Sequence, residues 1–455
     1  MAFKSQESLK HRESTSSSNQ EFFKFLRLKL NVSQNISSSA VSLVVLLITI
    51  YIVFYVDKHR RDFSEMRYGV LIDAGSSGTR VLVCSFSLQN GDTLNLMRDH
   101  YFEVKRSLAM CFQNASRVTN VGYVFSKLLN FVRNIVPEAE RPKTPIFLRA
   151  TAGLRLMDGD MVEAVLDATR GILIASEFSF EPSRAIVIDG SDEALYGWTT
   201  VNFLLNSLSN EMHQTFGVLD LGGGSFQVAF NTNSSLDEQS IRNISVFNKT
   251  YHVYSQSFLG MGLLEFRRRL YNILKERGQL TQNPCFYNGV TEVIDVDGRE
   301  QSFVETSGMG SFDSCVALIS DIFVEEFNIS VREFRKLWNT NVNNFVAFAY
   351  FFDRISTFGL SPESSLSDLE EMGRYICSED WNVVQNTYVS VRNGVHEHLC
   401  FDMAYIFFLL FEFLGFNQCE RTIRFLQSYH GSEFGWSLGA LFHEMNLLLR
   451  EKQVL

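Results

Sequence analysis

The sequence has no basic run longer than Arg267-Arg268-Arg269, and 41 Lys and Arg against 51 Asp and Glu leave a net charge of -10. A chain that binds a nucleic-acid backbone needs a concentrated positive face, so nucleic acid is excluded as a partner. None of the seven cysteines stands at the C-x-x-C spacing of a metal site, which disfavours zinc. No glycine-rich stretch ends in Gly-Lys-Ser/Thr, so the Walker phosphate loop is excluded too. Long apolar runs are scarce. Residues 40–56 are apolar apart from Ser42 and Thr49, and with 37–39 they reach the ~20 residues that span a bilayer. A cleaved leader would start nearer the terminus and end at small residues. This run instead follows a polar tail and ends at Asp57-Lys58, so it reads as an uncleaved transmembrane anchor. Cys400 to Phe413 is too interrupted by polar residues to be a second span.

What is present is a repeated device. Val70-Leu71-Ile72-Asp73-Ala74-Gly75-Ser76-Ser77-Gly78-Thr79-Arg80 and Val218-Leu219-Asp220-Leu221-Gly222-Gly223-Gly224-Ser225-Phe226-Gln227 each run from an apolar strand through an aspartate into a glycine-rich turn and a second strand. Each loop is expected at the tip of a hairpin. Backbone amides without bulky side chains can cradle phosphate oxygens. An aspartate closing each first strand could hold hydrated Mg²⁺ or Ca²⁺ against them, since these hard ions take oxygen ligands and keep waters. Two such loops facing each other would clamp a polyphosphate.

The length suits two or three domains. Residues 1–36 read as a disordered cytosolic tail, 37–56 as the anchor and 57–66 as a charged stalk. Basic residues flank the anchor on both sides, so charge does not orient it. Glycosylation acceptors do: Asn114, Asn233, Asn243, Asn248 and Asn328 begin N-x-S/T sequons, which are modified only on the lumenal or outer side. The cysteines agree, since pairs such as Cys285 with Cys315 and Cys377 with Cys400 can close loops in an oxidising compartment.

Periodicity predicts helices over 121–136, 161–174 and 258–274, with a strand before the small-residue turn Ala150-Thr151-Ala152-Gly153. Another strand over 185–188 leads into a helix capped by Ser191. Glu193 then falls in the first turn, where the helix dipole favours its carboxylate and where it can act as a general base towards water. The aromatic run 345–352 reads as helical core. An amphipathic helix closes the chain.

Taken together these residues resemble the apyrases, or nucleoside triphosphate diphosphohydrolases. The likeness covers Tyr68 to Leu449 and is carried by five ordered motifs: Asp73 to Arg80, Ala150 to Arg155, Asp189 to Asn202, Asp220 to Gln227 and Gly435 to Leu441. Asp189-Gly190-Ser191-Asp192-Glu193, Phe348 to Arg354 and Leu399-Cys400-Phe401-Asp402 are most similar to the endomembrane branch that prefers nucleoside diphosphates. The resemblance implies an α/β, actin-like fold of two ribonuclease-H-like lobes, 67–188 with 424–455 and 189–423, with the nucleotide in the cleft. It implies Glu193 as general base, with Ser225 and Gln227 orienting the attacking water. Asp73 and Asp220 would hold Mg²⁺ or Ca²⁺ through water. Phosphate would lie against Gly75, Ser76, Ser77, Gly78, Thr79, Thr151, Ala152, Gly222, Gly223 and Gly224, and the base would stack on Tyr350. The family also pairs Cys285 with Cys315 and Cys377 with Cys400.

Three positions depart from that pattern. Phe226 replaces a threonine, placing a bulky neighbour in the water-orienting loop; Ala194 replaces the glycine after the catalytic glutamate; Leu399 replaces the second base-stacking aromatic of cell-surface members. The function implied is hydrolysis of the terminal phosphate of UDP and GDP, with triphosphates as a further substrate class, in the Golgi or endoplasmic reticulum lumen in support of glycosylation. The alternatives are a phosphotransferase of the same superfold or a catalytically weak lumenal nucleotide-binding protein.

Overall fold

The computed structural model describes residues 47–49, 51 and 66–454, apart from 90–92, 113–116, 209–214, 233–239, 247–248, 280, 289–290, 296–302, 330–341, 343, 388–397 and 421. The proposed tail, most of the anchor and all of the stalk but Met66, which opens the first strand, therefore lie outside the described residues, as do Asn114, Asn233 and Asn248. Residues 47–49 and 51 are helical. Among the described residues no helix is long and apolar enough to cross a membrane.

The first hairpin forms as its sequence predicts. β1 (Met66–Ala74) pairs antiparallel with β2 (Thr79–Gln89), setting Asp73 opposite Arg80. β3 (Thr93–Val104), β4 (Ile146–Ala150) and β5 (Ala185–Val187) complete a five-stranded sheet in the order β3-β2-β1-β4-β5. The second hairpin, β6 (Gly217–Leu221) into β7 (Ser225–Asn231), sets Asp220 opposite Gln227. β8 (Ile241–Val246) and β9 (Lys249–Leu259) follow it. A small sheet holds β10 (Thr281–Asn288), β11 (Thr291–Asp295) and β12 (Phe303–Gly308). With β13 (Phe345–Ala349) and β14 (Ile423–Phe425) the second main sheet runs β14-β13-β6-β7-β9-β8. The expected return of the chain to the first lobe at 424 thus falls inside β14, which pairs with the second sheet.

Helices cover the sheets on both faces. α1 (Arg117–Ile135) and α2 (Gly159–Ile174) pack on the outer face of the first sheet. The outer face of the second carries α4 (Leu263–Glu276), α5 (Phe312–Phe327), α6 (Tyr350–Thr357), α7 (Leu366–Ser378) and α8 (Leu399–Phe407). Between the sheets lies a third core, to which α3 (Gly190–Leu204) and α9 (Ser437–Val454) contribute Trp198, Val201, Leu438 and Leu441. α3 and α9 cross closely because Gly439 has no side chain. A Cβ there would overlap the Tyr196 carbonyl oxygen, and the Gly439 amide instead donates to Thr200 Oγ1 at 2.8 Å.

Three local expectations need correction. The aromatic run 345–352 is not one helix: its first five residues form β13, a strand buried between β6 and β14, and the helix starts at Tyr350. An unbroken apolar run has no period, and burial on both faces suits strand as well as helix. The helix expected from Phe258 begins at Leu263, since Phe258 and Leu259 end β9 and Gly260 turns the chain at φ +89°. Ser191 does not cap α3. Asp189 does, its Oδ1 accepting the Ser191 amide at 2.7 Å, because an aspartate two residues earlier reaches the orphan donors of the first turn. The two disulfides form as implied, Cys285–Cys315 and Cys377–Cys400. Asn243 and Asn328, the sequon residues described, are both exposed.

Candidate active site

Side chains on a strand alternate between its two faces, and that alternation assembles the site. On β1, Leu71 enters the core between the sheets while Val70 and Ile72 enter the outer core; Asp73, two residues on, shares the inner face. On β6, Val218 is inner and Leu219 outer, so Asp220 is inner. On β7, Ala229 is inner while Phe226, Val228 and Phe230 are outer, which puts Ser225 and Gln227 inside. The inner faces meet at a cavity of about 520 Å³ lined by Asp73, Asp220, Glu193, Ser225 and both glycine loops.

The two loops are built alike. The Gly75 amide donates to the Gly78 carbonyl at 3.0 Å, and the Gly222 amide to the Ser225 carbonyl at 3.0 Å. They pack tip to tip: a Cβ on Gly223 would stand 2.8 Å from Ser76 Oγ, and one on Gly224 would stand 2.9 Å from the Ala152 Cβ. Ala152 follows Thr151, whose amide donates to the Ala74 carbonyl at 3.3 Å, so the third loop is tied to the first. The second loop is fastened from behind by the first turn of α4, whose Leu263, Leu264 and Glu265 amides donate to the Gly222 and Gly223 carbonyls at 2.9–3.1 Å. Gly75, Ser76, Ser77, Thr151, Ala152, Gly222, Gly223 and Gly224 line the cleft. Gly78 and Thr79 do not: Thr79 is fully buried and its hydroxyl donates to the Arg106 carbonyl at 2.8 Å.

Glu193, buried in the first turn of α3, is ion-paired to Arg155 Nη2. The same nitrogen lies 3.5 Å from Ser225 Oγ, and Gln227 donates from Nε2 to Ser225 Oγ and to Ser257 Oγ at 3.2 Å. Burial, outweighing Arg155, raises the Glu193 carboxyl from 4.5 to about 7. Burial likewise raises Asp73 to about 6, against the pull of Arg80 at 3.4 Å, and lifts Asp220 well above the usual carboxylate range. Asp73 Oδ1 is buried with no hydrogen-bond partner. Two buried carboxylates with only oxygen donors, one left unsatisfied, fit a hydrated hard cation. No group of three or more His, Cys, Asp or Glu side chains able to hold a metal occurs among the described residues, so waters would complete its shell. Tyr350 lines the same cavity at the start of α6.

Two departures lose their weight. The Phe226 ring is turned away from the cleft, 5.9 Å from the centroids of Phe258 and Phe351 in the outer core. Ala194 is buried among the residues between the sheets. Leu399 is fully buried in the second-sheet core and lines no part of the cavity. Sequence reading gave no role to Arg155 and Arg80, although both stand inside quoted motifs. Trp436, inside the Gly435 to Leu441 motif, also lines the cleft, as do Glu103, Lys105 and Glu433, which sit outside any glycine turn and carry no local signal.

The model of the GDA1/CD39 (nucleoside phosphatase) family matches residues 59–455. The chain is 29% identical over 401 residues to "Probable apyrase 5" of Arabidopsis thaliana, covering 83% of this chain and 82% of that protein. It is 28% identical over 405 residues to "Ectonucleoside triphosphate diphosphohydrolase 6" of Mus musculus, covering 85% and 84%. A crystal structure of nucleoside triphosphate hydrolases from Neospora caninum superposes with a TM-score of 0.62 at 17% identity, over 88% of this chain and 97% of that one. This last likeness is one of fold.

The buried carboxyls make a prediction about stability. A carboxyl whose folded pKa is raised stabilises the fold fully below its unfolded value and loses that contribution as pH rises through the folded one. Metal-free protein is therefore expected to melt at progressively lower temperature between pH 5 and 8, the window set by Glu193 at about 7 and Asp73 at about 6. Glu193→Gln should flatten the fall by on the order of a few degrees. A pH profile of melting temperature identical in the two proteins would contradict the Glu193 shift.

Proposed function

The chain belongs to the GDA1/CD39 nucleoside phosphatase family, whose members hydrolyse phosphoanhydride bonds, and from that premise we propose that it removes the terminal phosphate of nucleoside diphosphates such as UDP and GDP. The observation that carries the reading is the pair of like-built glycine turns packed tip to tip over one cavity with Glu193 and Ser225. Phosphoryl transfer leaves the protein little covalent work, so positioning and charge dominate. The loops hold the phosphates. Ser225 and Gln227 orient a water, and the Glu193 carboxylate takes one of its protons as the water oxygen bonds to the terminal phosphorus. The bond from that phosphorus to the bridging oxygen breaks, releasing nucleoside monophosphate and phosphate. A pKa near neutrality suits a base that must hold and release that proton.

The family's apyrases depend on divalent cations. Mg²⁺ or Ca²⁺ held through water by Asp73 and Asp220 would neutralise phosphate charge. The catalytically weak reading loses its basis because Phe226 and Ala194 point into cores.

Features away from the cleft support a lumenal compartment. Two formed disulfides and exposed sequons at Asn243 and Asn328 support an oxidising, glycosylating lumen. There, glycosyl transfer releases UDP and GDP, and their hydrolysis would relieve product inhibition. We place the two lobes, 67–188 with 424–455 and 189–423, in the Golgi or endoplasmic reticulum lumen behind an anchor at 37–56, with 1–36 cytosolic.

Glu193→Gln is expected to lower turnover by roughly 10²-fold or more while nucleotide still binds, since the amide keeps the shape but accepts no proton. Asp73→Ala, Asp220→Ala and excess chelator should each cripple hydrolysis. Phosphate release near the unmodified rate in any of these would remove the corresponding role. For topology, protease added to sealed microsomes is expected to trim only the short tail, and glycosidase to increase gel mobility. Digestion of the catalytic domain in intact microsomes would end the lumenal assignment.

A further inference from the structure

Tyr350 stands on a strained base. Ala349, just before it, adopts φ +56° and ψ -127°, a conformation that a residue with a side chain keeps only when its surroundings enforce it. One helical turn on, at the i+4 position that shares a face, Arg354 places its guanidinium 5.0 Å from the centre of the Tyr350 ring. Arg354 in turn donates from Nε to Asp402 Oδ2 at 2.6 Å. Arg267 reaches the other oxygen, Oδ1, at 3.2 Å. Asp402 is fully buried in the first turn of α8. Tyr350 lines the cleft, but Arg267, Arg354 and Asp402 do not.

A buried ion pair is weak grounds for stability, because the loss of hydration offsets the attraction. What this one does is hold geometry. A long arginine free to change rotamer would not stay over the ring, and the ring would lose both its cation and its orientation. Resting on the reading that the base stacks on Tyr350, we infer that Asp402 is a positioning residue for nucleobase binding, acting through Arg354 and touching no part of the nucleotide.

The test separates base from phosphate. Purified full-length protein is assayed for UDP and GDP hydrolysis, and for inhibition by imidodiphosphate, which carries two phosphates and no base. Asp402→Asn is expected to raise KM for the nucleotides about tenfold, with a much smaller fall in kcat and an unchanged inhibition constant for imidodiphosphate. Asp402→Glu should restore part of the KM. Arg354→Gln, which leaves Asp402 its bond to Arg267, should show the same split and serves if Asp402→Asn does not fold. A rise in both constants together, or in neither, overturns the role. Tyr350→Ala is the control for the underlying reading: if it leaves KM unchanged, the base site itself is wrong and the role of Asp402 falls with it. If Tyr350→Ala raises KM but the Asp402 and Arg354 variants do not, only the positioning role fails.

Discussion

The structure depends on keeping three carboxylates, Asp73, Asp220 and Glu193, close together and out of water with only Arg80 and Arg155 to offset them. Burial disfavours each charge, the other carboxylates add to that cost at Asp220 and Glu193, and Arg80 and Arg155 offset only part of it. Such a cluster does not stabilise a fold. It persists because the strands that carry it are anchored elsewhere: β1 by the cores on its two faces, β6 and β7 by the Phe226, Val228 and Phe230 side chains behind them. The uncompensated charge is then available to a cation and to a proton in transit, which is how a perturbed cluster in a cleft becomes a catalytic one.

Local pattern made the hairpins legible. A Gly-Ser-Ser-Gly turn and a triple-glycine turn, each between two apolar strands, have few other readings, and the repeat of the device suggests copies that face each other. The direction of each functional side chain was equally readable in principle. Ser225 and Gln227 flank Phe226, so a period of two sends the phenylalanine away from whatever the other pair addresses. Treating Phe226 as a neighbour in the loop missed this, because a loop has no faces and a strand does.

Other parts had no sequence signal. The run 345–352 is apolar throughout, and only its place between β6 and β14 decides that its first half is strand. Capping by Asp189 rather than Ser191 turns on where α3 starts, and helix ends shift by a residue or two even in structures. Arg155 and Arg354 matter through partners 38 and 48 residues distant, Glu193 and Asp402, and no spacing rule links residues so far apart. Glu103, Lys105 and Glu433 join the cleft only because the chain brings β3 and the segment before α9 to the same edge.

The central claim is that a water oriented by Ser225 and Gln227 and deprotonated by Glu193 attacks the terminal phosphorus. Hydrolysis of UDP in ¹⁸O-enriched water tests it most directly, with both products analysed by mass spectrometry after a single turnover. The expected result is label in the inorganic phosphate and none in the nucleoside monophosphate. Label in the monophosphate would place the attack on the inner phosphorus, and transfer of the phosphoryl group to an added alcohol instead of water would make the protein a phosphotransferase; either result contradicts the proposed mechanism.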